Sequence, residues 1–83
     1  FAVNHLGHFL LANLLLDQVK AAPQGRVVTL SSSAYKWAPP VGIEFDNLSG
    51  AREYDGNKAY GISKTANGLF SMELARRLAG TTT

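Results

Sequence analysis

No cysteine occurs among the 83 residues, which excludes a disulfide framework and thiolate chemistry and allows a reducing compartment without demonstrating one; a cytoplasmic location is the expectation, with membrane anchoring of a longer parent left open. Charge is also sparse. Charged side chains make up 17% of the chain, and eight Lys and Arg against six Asp and Glu give a net charge of +2. The basic residues, Lys20, Arg26, Lys36, Arg52, Lys58, Lys64, Arg76 and Arg77, are scattered and form no stripe, so a nucleic-acid partner is not expected. There is no long hydrophobic run either: Asn4, His5, His8, Asn13 and Asp17 interrupt the apolar stretch around Phe9–Leu16 well short of the roughly twenty residues that span a bilayer. No charged leader with a small-residue cleavage site precedes it, and the chain opens on Phe1, so both ends read as cuts.

Apolar residues account for 46% of the chain, the balance of a folded segment of at most one small domain. From Phe1 to about Ala22, Val3, Leu6, Leu10 and Leu14 recur at helical spacing, with Phe9, Leu11, Leu15, Leu16 and Val19 widening the stripe. Ala21-Ala22-Pro23-Gln24-Gly25 should stop that helix. The β-branched run Arg26–Ser31 predicts a strand buried on both faces of a parallel sheet. A long loop rich in Ser, Pro, Gly, Asn and Asp follows to about Gly56, with Trp37, Ile43, Phe45 and Leu48 as candidate anchors. Helical spacing returns from about Asn57 to Leu78 through Ile62, Ala66, Phe70, Leu74 and Leu78; Arg76 and Arg77 suit its last turn, and Gly80 its end. Helix, strand, long loop and helix make an α/β inventory that is incomplete, because one strand has nothing to pair with. The missing strands are expected from elsewhere in a longer chain.

Tyr60 and Lys64 are four residues apart on the second helix and therefore share a face. A neighbouring ammonium favours a phenolate, which equips a tyrosine for acid–base work. Taken alone, the pair is more often an aromatic residue and a solvated lysine. Context strengthens it, since the predicted strand ends in Ser31-Ser32-Ser33, and ligands of open α/β sheets bind beyond the carboxyl ends of strands. A serine there can donate to a substrate carbonyl oxygen, with Ser32 the choice among the three; the alternative is hydroxyls that satisfy turn amides. His5 and His8 are spaced to share a helix face, but no cysteine or further histidine could complete a metal site, so packing or polar bonding is the expected role. A serine hydrolase lacks its Gly-x-Ser-x-Gly elbow here.

Three segments in order, Val3-Asn4-His5-Leu6-Gly7-His8-Phe9, Arg26-Val27-Val28-Thr29-Leu30-Ser31-Ser32 and Tyr60-Gly61-Ile62-Ser63-Lys64, resemble the middle of a short-chain dehydrogenase/reductase. The resemblance covers almost the whole chain and is strongest to the retinol-dehydrogenase-like and WW-domain-oxidoreductase-like branch. It implies that residues 1–83 are the central and catalytic part of one Rossmann-type, doubly wound parallel-sheet domain that binds NAD or NADP, with NADP favoured by the branch. Carried over by position, it makes Tyr60 the general acid/base, Lys64 the residue that assists its ionisation and hydrogen-bonds the nicotinamide ribose, and Ser32 the substrate-orienting serine. It makes Asn4 the support of a water leading from the lysine to solvent. The implied substrate is a small-molecule alcohol or carbonyl compound, and a homodimer through the two helices, with Leu69, Phe70 and Leu74 on its face, is also implied. The eight glycines never form the tight strand-to-helix turn that receives a pyrophosphate, so this piece alone is expected to be inactive. A non-catalytic structural or dimerisation module of the same fold is the alternative.

Overall fold

The chain begins with a widened helical turn. In the computed structural model, which describes all of residues 1–83, Ala2–Leu6 form a π-type turn in which the Phe1 carbonyl accepts from the amides of His5 and Leu6 at 2.9 and 3.2 Å. Helix α1, Gly7–Ala21, continues directly from it and ends where Ala22 turns extended ahead of Pro23. Thus the single helix expected from Phe1 to Ala22 is split near its start, and Asn4 and His5 sit in the wide turn. Such turns inside helices recur at functional sites.

Residues 25–32 form neither helix nor strand, which corrects the expected strand over Arg26–Ser31. The reason is physical: a strand exists through the ladder it shares with a partner, and no second extended segment lies beside this one. Two of its apolar side chains remain open, with Val28 82% and Leu30 74% exposed. The described chain is accordingly helical, and the sheet of the expected α/β architecture is not formed within it.

Ser32 opens a short 3-10 turn, Ser33–Trp37, by accepting the Ala34 amide on its hydroxyl. A second 3-10 turn, Phe45–Asn47, lies in the loop that follows. Asn47 closes that loop by donating to the Glu53 carbonyl and accepting from the Arg52 amide, while Gly50 supplies a left-handed φ of 73°. Glu44 and Lys58 pair at 3.2 Å, tying the loop to the next helix. Of the candidate loop anchors, Ile43 is half-buried, whereas Phe45 is 77% exposed and anchors nothing.

Helix α2, Gly56–Arg77, lies within a residue of its expected bounds at either end. Asp55 caps it, its carboxylate accepting the amides of Asn57 and Lys58; such a cap contributes about 1 kcal/mol. At the other end Glu73 accepts from Arg76 and Arg77. The hydrogen bond from Arg76, followed by its positive charge, holds the exposed Glu73 carboxyl below its ordinary value of 4.5. A depressed folded value means that this contribution is present above about pH 4.5 and is lost as pH falls through the lower, folded value. Fraying of residues 73–77 on acidification, read by backbone chemical shifts in the intact protein and absent in Glu73→Gln, is the expected result.

The buried residues cluster where α2 crosses the 3-10 turn and the π-type turn: Ala34, Gly61, Ile62, Ser63, Ala66 and Asn67. Gly61 permits the approach, since a Cβ there would stand 2.6 Å from the Ala34 carbonyl oxygen and 2.8 Å from the Ala38 amide nitrogen. Helix α1 and the turn before it meet α2 through aromatic rings, Phe9 against Phe70 at 5.1 Å and His5 against Phe70 at 6.4 Å. Elsewhere α1 is open, with Leu10 58% and Leu14 67% exposed. The whole chain exposes 5939 Å², against about 4,800 Å² for a compact chain of 8.9 kDa. No helix is long and apolar enough to cross a membrane.

Candidate active site

Tyr60 occupies the second turn of α2 and is 39% exposed. Its ring lies 6.4 Å from that of Trp37 and beneath the Lys64 ammonium, whose Nζ is 5.3 Å from the ring centroid. That is cation–π distance, and the helical spacing of four produces it. The ion pairs of the chain use Arg52, Lys58, Arg76 and Arg77, so the half-buried Lys64 carries its charge beside Tyr60 with no carboxylate to neutralise it.

The three serines divide their work. Ser31 donates its hydroxyl to the Lys64 carbonyl at 2.9 Å, across 33 residues of chain. Ser32 uses its oxygen as an acceptor for the Ala34 amide at 3.1 Å, which leaves its hydroxyl proton available to another group. Ser33 is exposed in the 3-10 turn. A hydroxyl that satisfies a turn amide and a hydroxyl that donates outward are therefore compatible in one residue, Ser32. Thr65 adds a further tie, its hydroxyl reaching the Tyr35 carbonyl at 3.4 Å. Residues 31–37 are thus laid along the face of α2 that carries Lys64.

Asn4 is drawn to the same helix by its side-chain amide: Nδ2 donates to Ser63 Oγ at 3.2 Å, and Ser63 in turn donates to the Tyr60 carbonyl at 2.7 Å. The fully buried Ser63 is a member of the site that sequence reasoning missed, as is Asn67, which is 3% exposed. The Asn67 amide donates to the carbonyls of Asn4 and Leu30 at 3.0 and 3.1 Å, while its Oδ1 lies 2.9 Å from His5 Nδ1. Carbonyl oxygens only accept, so the amide nitrogen must face them and Oδ1 must face His5. His5 Nδ1 therefore carries a proton and donates, a polar-bonding role in line with expectation; His8 is exposed on α1. Polar residues interrupting the apolar stripe of α2 were the available signal, since buried polar groups require partners.

Retinol dehydrogenase 14 of Homo sapiens is 51% identical to this chain over 81 residues, which cover 98% of the chain and 23% of that protein. Retinol dehydrogenase 12 of Mus musculus is 52% identical over 81 residues, 98% of the chain and 25% of the relative. The chloroplastic short-chain dehydrogenase TIC 32 A of Brassica napus is 48% identical over 83 residues, 94% of the chain and 26% of the relative. The chain thus spans about a quarter of the length of the curated relatives it matches. No family model and no solved structure matches it. Half of the residues are shared across nearly the whole chain with several dehydrogenases, and on that ground the chain belongs to the short-chain dehydrogenase/reductase family, in its retinol-dehydrogenase-like branch.

Proposed function

We propose that this segment is the catalytic middle of one Rossmann-type domain and serves a nicotinamide-dependent oxidoreductase that interconverts an alcohol and a carbonyl compound. The observation that carries the reading is the Tyr60 ring held against an unpaired Lys64 ammonium, with Ser31 bonded to the Lys64 backbone so that Ser32 follows directly beside it. Acid, cation and hydroxyl donor come from two segments that are joined at one place.

The donor set suits the nicotinamide end of the cofactor. Lys64 offers an ammonium to ribose hydroxyls, and it borders an open groove shared with His8, Val28, Leu30, Asn67 and Phe70. No turn in the chain suits the pyrophosphate, which requires a Gly-rich strand-to-helix junction. When bound, the nicotinamide supplies or accepts the hydride. In reduction, Ser32 donates to the substrate carbonyl oxygen and orients it, and Tyr60 delivers its proton to that oxygen. Lys64 stabilises the phenolate left behind and holds the ribose; oxidation reverses these steps. Such proton transfer by a positioned side chain contributes about 10²- to 10⁴-fold in rate.

NADP is the favoured nucleotide by branch, and the retinol named in the relatives suggests an apolar alcohol or aldehyde as substrate. The exposed apolar faces of α1 and residues 26–31 are read as the surfaces that the other strands of the domain cover. A homodimer through α1 and α2 would use Leu69 and Leu74, since Phe70 of its expected face packs internally on Phe9. Binding of NADP or NAD by the full-length protein, with nucleotide-dependent reduction of an apolar aldehyde, is the expected result. Failure to bind either nucleotide would overturn the reading.

A further inference from the structure

We propose that Asn67, oriented by His5, is a positioning residue that fixes Ser32 in register with Tyr60 and Lys64. The inference rests on the catalytic reading above. One buried amide joins three parts of the chain: it donates to Asn4 in the π-type turn, donates to Leu30 two residues before Ser32, and accepts from His5. Asn67 stands three and seven residues beyond Lys64 and Tyr60, on the same side of α2. The segment 30–32 therefore meets α2 by two successive rungs, Leu30 to Asn67 and Ser31 to Lys64.

On the other side of Ser32 the 3-10 turn 33–37 packs on Gly61 and is tied by Thr65. Ahead of Ser32, residues 26–31 contribute no hydrogen bond between backbone groups, so on that side the Asn67 amide and the Ser31 hydroxyl alone hold the chain to α2 and set how Ser32 enters the site. His5 completes the arrangement by occupying Oδ1. Without that donor the buried Oδ1 is left unsatisfied, which strains the amide and loosens its hold on the Asn4 and Leu30 carbonyls. The His5 ring also packs against Phe1, Phe9 and Phe70, at 5.1, 5.9 and 6.4 Å between centroids. Packing and donation are separable by substitution.

The test is made in the full-length enzyme. His5→Phe keeps an aromatic ring and removes the donor, whereas His5→Asn keeps a donor near the Nδ1 position and removes the ring. With active sites counted by bound nucleotide, His5→Phe and Asn67→Leu are expected to lose about tenfold or more in kcat, the scale of a small misplacement of reacting groups, with nucleotide affinity changed less than about threefold. His5→Asn is expected to restore most of kcat even if its Tm is the lower of the two His5 variants. Wild-type kcat in His5→Phe, or equal loss in His5→Asn and His5→Phe, would overturn the inference. Tyr60→Phe is assayed alongside: if it is inactive while His5→Phe is fully active, only the positioning role fails, and if it is fully active the catalytic reading fails and takes this role with it.

Discussion

Replacing Tyr60 by phenylalanine in the full-length protein is expected to lower kcat by about 10² to 10⁴ while leaving nucleotide affinity nearly unchanged. The substitution removes one hydroxyl and keeps the ring, so the contact with Trp37 and the seat of the Lys64 ammonium are preserved. What disappears is the proton donor alone. At about 1.4 kcal/mol per factor of ten, the loss corresponds to roughly 3 to 5.5 kcal/mol of transition-state stabilisation. Lys64→Met is a sharper intervention, because in the proposed mechanism the ammonium both stabilises the phenolate and holds the ribose. It should weaken nucleotide binding as well as kcat, and the two variants together separate proton transfer from cofactor binding. Single-turnover reduction with nucleotide binding measured in parallel checks this, and a Tyr60→Phe enzyme with wild-type kcat would remove Tyr60 from the chemistry.

Much of α2 is legible from sequence because one pattern determines both its shape and its packing. Ile62, Ala66 and Leu78 recur at helical spacing and are buried, and Arg76 and Arg77 reach the last turn where the helix dipole favours them. The same spacing places Lys64 over Tyr60. Periodicity is blind to other features. The π-type turn at Ala2–Leu6 differs from an ordinary helix by one extra residue between donor and acceptor, which leaves the apolar pattern of the segment almost unchanged. Asn67 looks like an ordinary polar helix residue until three partners from distant segments converge on it. Residues 26–31 show the opposite limit. Their composition reports that they favour burial between neighbours, but no segment of these 83 residues pairs with them, so the extended pairing that the pattern anticipates does not form.

That deficit leads to a second large effect: the isolated 83-residue chain is expected to lack a cooperative unfolding transition. Only eight of its residues are buried, and four of those, Ala34, Ile62, Ala66 and Leu78, supply the apolar core. Burying a large aliphatic side chain contributes about 1.5–3 kcal/mol, whereas ordering a residue costs about 1–2 kcal/mol of backbone entropy, so four buried apolar residues cannot hold 83 in place. The radius of gyration, 14.2 Å, exceeds the roughly 12 Å of a compact domain of this length, as an arrangement of helices without a shared sheet requires. Helix α2 is the part best able to persist, because Asp55 caps it and Glu73 pairs with Arg76 and Arg77. The isolated chain should therefore keep partial helical circular dichroism, bind a hydrophobic dye, and melt over a broad range with no enthalpy peak in calorimetry. In the full-length protein the amides of Ile62, Ala66 and Asn67 should instead be among the most protected from hydrogen exchange, since the strands that complete the domain would cover the faces that α1 and residues 26–31 leave open. A sharp, reversible two-state transition in the monomeric 83-residue chain would show that these helices are self-sufficient, and would shift the reading from a catalytic segment of a larger domain toward an independent helical module.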